Sequence, residues 1–182
     1  MKNEMVFMSG NRYLWSIPIL FLVGSFFHFL YALTAYSPIV GAVAAVNESV
    51  WEHQKMVVLP VISWWIIAFL ARGLHNQIIA RKWFTGLLVS LLVSILAIPS
   101  SFYFYSDAFG AHLLIVDVFI LLLAVTLGQC LGIHFYRHAK GIPAYASITI
   151  ILLILLMFVI FTFYTPVLPW FRDSLTGQYG MQ

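Results

Sequence analysis

The sequence predicts an all-α integral membrane protein, a single domain over residues 1–182 with about five transmembrane helices. Of its 182 residues, 63% are hydrophobic and only 8% are charged, whereas a soluble domain carries about 25% charged residues. Several apolar stretches are long enough to cross ~30 Å of hydrocarbon at ~1.5 Å per residue. No basic patch is interleaved with aromatic residues, so the expected partner is the lipid bilayer and not nucleic acid.

The order of apolar and polar stretches places the spans. They are expected at residues 13–35, 47–71, 83–105, 108–135 and 144–164. Pro38 and Gly41 indicate a short loop or broken helix between the first two spans, and residues 106–107 form a very short turn. Asn47 is the expected N-cap of the second span, with Glu48 in its first turn. The tail beyond residue 164 is rich in proline and glycine and is expected to lie at the interface without forming a helix.

Lysine and arginine residues in the short loops predict the orientation. The N-terminus carries two, residues 72–82 carry three and residues 137–140 carry two, and under a five-span arrangement all of them fall on one side. We therefore expect the N-terminus inside, the C-terminus outside, and a location in the cell membrane. An even number of spans stays open if residues 46–71 form a re-entrant segment.

Ionisable residues concentrate in the outer half of this arrangement. Three spans contribute them: His28 from the first, Glu48, Glu52, His53 and Lys55 from the second, and His112 and Asp117 from the fourth. A charged group at membrane depth is costly and usually faces a bundle interior, a partner or a water-filled cavity. The residues expected to line one cavity open to the outer side are His28, Glu52, His53 and Asp117.

Imidazole nitrogens and carboxylate oxygens are ligands that hold zinc while leaving one position open. The expected metal ligands, for a divalent ion such as zinc, are His28, Glu52 and His53. The expected catalytic residues are Glu52, His53 and Asp117, acting on a lipid or lipid-linked substrate. The residues expected to contact a lipid or small-molecule ligand are His28, Glu48, Lys55 and His112.

The same residues also allow other functions. Glu52 and Lys55 are spaced i,i+3 on a helix, which permits an ion pair that fixes helix packing. Buried histidines also form hydrogen bonds to neighbouring helices. Three classes of function therefore stay open: a metal-dependent membrane enzyme, a proton- or cation-coupled small-molecule transporter or binding protein, and a structural subunit of a membrane complex.

Three blocks carry further motifs: H-F-x-Y at residues 28–31, V-N-E-S-V-W-E-H-x-K at residues 46–55, and P-x-F-x-D-x-x-T-G-x-Y-G at residues 169–180. Together they resemble an uncharacterised family of small multi-pass bacterial membrane proteins, known as a domain of unknown function. Ala32 and Ser174 stand where that pattern has an acidic residue and a proline. The resemblance implies a multi-pass membrane protein and implies no activity.

The orientation is testable by cysteine labelling in a background in which the lone cysteine, Cys130, is replaced by serine. We expect Asp107→Cys to react with a membrane-impermeant thiol reagent from outside, and Gln77→Cys to react only after the membrane is permeabilised. The opposite labelling pattern would overturn the sidedness assigned to the polar cluster.

Overall fold

The computed structural model describes residues 14–73, 78–110 and 113–181. Its helices are α1 (Ser16–Leu33), α2 (Pro38–Gly41), α3 (Val50–Gly73), α4 (Ala80–Phe109), α5 (Leu114–His138) and α6 (Ala144–Phe163), followed by a 3-10 turn at Pro169–Phe171. Within these residues no β-strand forms, and a single isolated bridge pairs Arg172 with Tyr179. The predicted all-helical class is therefore confirmed for the part of the chain described.

Five helices, α1, α3, α4, α5 and α6, are long and apolar enough to cross a membrane, judged by length and composition. The boundary between α4 and α5 differs from the prediction. The turn expected at residues 106–107 lies inside α4, which continues to Phe109 and ends at Gly110. Gly110 has a φ of 61°, a left-handed conformation that glycine adopts without a Cβ clash. As a result α5 begins at Leu114, and Asp117 lies in its first turn.

The start of α3 also differs from the prediction, because Ser49 and not Asn47 caps the helix. The Glu52 N–H donates to Ser49 Oγ at 3.2 Å, and the His53 N–H donates to the Ser49 carbonyl at 3.1 Å. The Asn47 side-chain oxygen instead accepts the Ser49 N–H at 3.0 Å, which forms an Asx turn ahead of the helix. Glu48 therefore lies in this turn and not in the first turn of α3.

Small residues allow α4 and α5 to make the most extensive helix contact of the bundle. Gly86 and Gly132 face each other so closely that a Cβ on either would come within 2.8 Å of the other's carbonyl oxygen. One and two turns further along, Ser90 and Ser94 of α4 pack against Gly128 of α5. Close backbone approach at small residues is the usual packing mode of helices in lipid.

A buried ion pair joins α3 to the chain that precedes it. The ammonium of Lys55 lies 2.7 Å from Glu52 Oε2, with both side chains at most 4% exposed. It also donates to the carbonyls of Gly41 at 2.9 Å and Ala44 at 3.3 Å. Glu52 Oε2 in turn accepts the Val46 N–H at 3.1 Å. All three ammonium donors therefore have acceptors, as a buried lysine requires.

We expect the two charges to be energetically coupled. Glu52→Gln or Lys55→Met alone should lower the free energy of unfolding by about 3–5 kcal/mol, because each leaves an uncompensated buried charge. The double variant should lose less than the sum of the two single losses. Unfolding of the detergent-solubilised protein measures this, with Lys140→Met at an exposed lysine as the control. Strictly additive losses would reject the coupling.

Candidate functional site

Two histidines and one glutamate meet where the C-terminal end of α1 faces the N-terminal end of α3. His28 Nε2 lies 3.5 Å from Glu48 Oε1, and His53 Nε2 lies 3.3 Å from Glu48 Oε2. The two imidazole rings are stacked, with centroids 5.4 Å apart and planes inclined by 20°. One carboxylate thus receives two ring nitrogens from two different helices. We refer to His28, Glu48 and His53 as the His–Glu–His cluster.

Backbone contacts fix the tautomer of His53. Its Nδ1 lies 2.9 Å from the carbonyl oxygen of Ser49, and a carbonyl only accepts, so Nδ1 carries a hydrogen. Nε2 then either carries a second proton or presents a bare lone pair towards Glu48. A histidine that donates Nδ1–H to a backbone carbonyl while Nε2 faces outward is the usual arrangement of a metal-ligating imidazole.

A hydrogen or a cation must lie between each ring nitrogen and the carboxylate oxygen that it faces. If both rings presented lone pairs, two nitrogens would face carboxylate oxygens without any hydrogen or cation between them, which is repulsive. A proton on His53 relieves part of this, and its hydrogen bond lowers the pKa of the Glu48 carboxyl. A neutral His28 that carries its hydrogen on Nε2 relieves the rest by donating to Glu48. A divalent cation that accepts a lone pair from each of the three groups would relieve both contacts without a proton on His53.

The ligand atoms of the cluster also have suitable spacing for a metal ion. They all lie within 4.8 Å of one another, and the two nitrogen–oxygen distances are 3.3 and 3.5 Å. Ligands of a tetrahedral zinc, each about 2.0–2.1 Å from the metal, are about 3.3 Å apart. Three protein ligands leave one position open, as in catalytic zinc sites.

The cluster forms part of the wall of a cavity of about 330 Å³ between α1, α3, α4 and α5. Asp117, from the first turn of α5, lines the same cavity. The hydroxyl of Tyr105 donates to Asp117 Oδ1 at 2.7 Å and accepts the Leu113 N–H at 3.4 Å. Apart from these groups and two serines, the lining is apolar. We call this space the lateral cavity.

A second cavity of about 510 Å³ lies on the other side of Glu48, beneath the C-terminal tail. Arg172, Asp173 and Ser174 are among the tail residues that line it. The Ser174 hydroxyl donates to the Glu48 carbonyl at 3.0 Å, and Asp173 Oδ2 accepts the Glu48 N–H at 3.5 Å. The tail therefore holds the backbone of Glu48 from both sides. We call this space the vestibule.

The residues singled out from the sequence fall into two groups in the structure. His28, His53 and Asp117 line the lateral cavity, as expected, together with Glu48. Glu52 and Lys55 form the separate buried pair instead, because Glu52 projects about 100° away from His53 on α3. Glu48, and not Glu52 as expected, is the carboxylate that lies beside His28 and His53. His112 lies outside the described residues.

Three contributors to the site were not identified from the sequence: Tyr105, Ser49 and Ser174. The S-x-x-E spacing at residues 49–52 is a capping signal that would have placed Ser49 at the helix start. No sequence pattern indicates that Tyr105 reaches Asp117 across the turn between α4 and α5. The contact between Ser174 and Glu48 spans 126 positions of sequence, which local periodicity does not report.

The fold and the site define a helical bundle with five helices suited to a membrane and one His–Glu–His cluster at the end of two of them. The chain belongs to a family of unknown function, DUF6512, whose sequence model matches residues 1–181. This confirms the family resemblance inferred from the sequence. Neither a curated protein nor a solved structure matches the chain.

Asp173 orders the C-terminal tail, because its Oδ1 accepts hydrogen bonds from the N–H groups of Leu175 at 2.7 Å and Thr176 at 3.0 Å. We expect Asp173→Ala to speed amide hydrogen exchange at residues 174–177 by about tenfold or more, because bonds to a charged acceptor are lost. Asp107→Ala, at an exposed acidic residue, is the matched control. Unchanged exchange in Asp173→Ala would show that the tail is held by other contacts.

Proposed function

We propose that this chain is an integral membrane protein with the N-terminus inside and the C-terminus outside, located in the cell membrane. Large apolar side chains are exposed on all five long helices, far more than a soluble protein leaves in water. The arginine- and lysine-bearing turn at residues 137–140 lies at the end of the bundle opposite the His–Glu–His cluster. Positive-inside asymmetry then assigns the cluster to the outer side.

We further propose that the His–Glu–His cluster holds a divalent metal, with zinc as the reference ion. One observation carries this proposal: two imidazole nitrogens approach the two oxygens of one carboxylate at 3.5 and 3.3 Å. The hydrogen bond from His53 Nδ1 to the Ser49 carbonyl supports it by presenting Nε2 to the ion. The two carboxylates of Glu48 and Asp117 balance the charge of one divalent ion when both imidazoles are neutral. The site then has no net charge, which suits a partly buried location.

The function that fits this site best is metal-dependent hydrolysis of a lipid or lipid-linked substrate. His28, Glu48 and His53 would hold a zinc-type ion, which when bound would lower the pKa of a water and polarise the bond that is attacked. Asp117, which accepts a hydrogen bond from Tyr105, would act as the general base that takes a proton from the attacking water. In such a hydrolysis the water oxygen would bond to the acyl carbon or phosphorus, the bond to the leaving oxygen would break, and Asp117 would return the proton to that oxygen.

A second candidate is a proton- or cation-coupled transporter or binding protein. It is favoured by the position of Glu48, which lines both the lateral cavity and the vestibule. A carboxylate between two cavities, paired with two histidines, is a suitable carrier of a proton or cation. In this case the cluster binds its cation reversibly, and a proteoliposome flux assay detects movement of protons or ions. A structural subunit would have neither a bound metal nor a flux.

Metal analysis of the purified protein tests the primary proposal. After exposure to Zn²⁺ and removal of loosely bound metal, we expect about one ion per wild-type chain. His53→Ala and Glu48→Gln should each lower metal affinity by more than about tenfold. His134→Ala removes an exposed histidine whose ring lies 4.6 Å from that of His138, and it should keep the metal of the wild type.

Folding is monitored in the same samples. Wild-type protein should unfold at a higher temperature when Zn²⁺ is added, because a ligand bound only to the native state stabilises it. The His53→Ala and Glu48→Gln variants should lose that shift while still eluting as a single species in size-exclusion chromatography. Wild-type protein that binds no metal, or cluster variants that bind as much as the His134→Ala control, would refute the metal site.

A further inference from the structure

The lateral cavity and the vestibule share one member of the His–Glu–His cluster, Glu48. Glu48, Val50, Phe102 and Ser174 line both spaces. The two cavities nevertheless differ in character, since one is enclosed by apolar helix faces and the other by the polar tail. A molecule that extended from one to the other would pass directly beside the metal ligands. One end of such a molecule would need to be apolar and the other end polar.

The lateral cavity opens towards the surroundings of the bundle between α1 and α5. Its rim includes Phe29 of α1, 59% exposed, and Leu114 and Val118 of α5, 78% and 41% exposed. At a deeper level the two helices close together, where Leu121 packs against Gly24. Apolar rim residues exposed on a membrane-type surface face lipid chains, so an apolar chain can enter from the bilayer without crossing water.

The vestibule is lined by one positively charged side chain, that of Arg172. Among the described residues that line either cavity, Arg172 is the one arginine or lysine. Its Nε donates to the Gly177 carbonyl at 3.3 Å, and its terminal NH₂ groups have no hydrogen-bond partner among the described residues. The acidic neighbour Asp173 is already engaged by the backbone N–H groups of Leu175 and Thr176. A planar guanidinium with free N–H groups is well suited to a phosphate.

We propose that the two cavities form one binding site for a phosphate ester that carries a single apolar chain. The chain occupies the lateral cavity, and the phosphate lies in the vestibule between the His–Glu–His cluster and Arg172. At about 330 Å³, the lateral cavity is within the range of ligand pockets, roughly 300–1,000 Å³. This inference rests on the proposed function, because the metal ion supplies much of the positive charge that the phosphate meets.

Native mass spectrometry of the zinc-loaded protein, released from detergent micelles, tests the proposal with four probes. Dodecylphosphonate mimics the substrate and resists hydrolysis, dodecanol lacks the anionic group, dodecyltrimethylammonium reverses its charge, and inorganic phosphate lacks the chain. We expect dodecylphosphonate to bind at least about tenfold more tightly than each of the other three, since charge-assisted hydrogen bonds are strong and directional.

Variants separate the two halves of the site. Arg172→Gln should weaken dodecylphosphonate binding by about tenfold and leave dodecanol binding unchanged, whereas Lys140→Gln, at an exposed lysine, should change neither. Val118→Phe narrows the rim of the lateral cavity and should weaken both probes. Leu127→Phe, on the exposed surface of the same helix but outside the lining, should match the wild type.

The outcomes distinguish this inference from the metal proposal because zinc content is measured in the same samples. Bound zinc with equal affinity for dodecylphosphonate and dodecanol would overturn the phosphate headgroup and leave the metal site intact. Inorganic phosphate binding as tightly as dodecylphosphonate would overturn the role of the lateral cavity. Tighter binding of dodecyltrimethylammonium than of dodecylphosphonate would show that the headgroup site prefers a cation, and would overturn the proposal. Selective, Arg172-dependent binding of dodecylphosphonate without zinc would support the headgroup site while refuting the metal.

Discussion

The buried ammonium of Lys55 determines which acidic residue is left to face the cavity. Its contacts with Glu52 and with the carbonyls of Gly41 and Ala44 fold the segment after α1 against α3. Glu52 is thereby occupied on the side of α3 that faces this segment. The same segment continues into the turn that carries Glu48. Its anchoring therefore also fixes the position of the Glu48 backbone, from which the carboxylate extends. A buried ion pair with no part in the proposed chemistry therefore positions the cluster.

Close packing of α1 against α3 brings the two histidines together. Gly24 approaches α3 so closely that a Cβ there would lie 2.6 Å from the Met56 carbonyl. His28 is four residues after Gly24 and therefore lies on the same face of α1. His53 is three residues before Met56, on the antiparallel neighbour. One glycine thus sets the separation at which the imidazole rings stack, 5.4 Å between centroids.

Composition and helical rise were enough to predict the five long helices and the end of the bundle at which the ionisable residues gather. Which of Glu48 and Glu52 lies beside the two histidines could not be predicted in the same way. It depends on whether α3 begins at residue 47 or at Val50, a difference of less than one turn. Periodicity gives side-chain directions only inside a helix, and Glu48 lies in a turn whose direction is set by Asn47 and the distant tail.

The same limit applies to the boundary between α4 and α5. Polar residues at 106 and 107 suggested a turn, but side-chain polarity does not end a helix, and the left-handed Gly110 does. Moving the boundary placed Asp117 in the first turn of α5, where it meets Tyr105 from the last turns of α4. Asp117 was singled out from the sequence because a carboxylate at membrane depth is costly, whereas its hydrogen-bond partner Tyr105 was not identified.

The second histidine is the strongest argument that the cluster serves a ligand. A structural ion pair needs one histidine and one glutamate, and His53 already supplies the histidine, with its Nδ1 satisfied by Ser49. His28 adds a second imidazole facing the other oxygen of the same carboxylate, an approach that either a neutral ring donating Nε2–H or a bound cation satisfies. Asp173 and Ser174 hold the backbone of Glu48, and Asn47 orders the turn that carries it. Two imidazoles and one carboxylate directed towards one another, on a turn held by these contacts, have the geometry that a preorganised cation site requires.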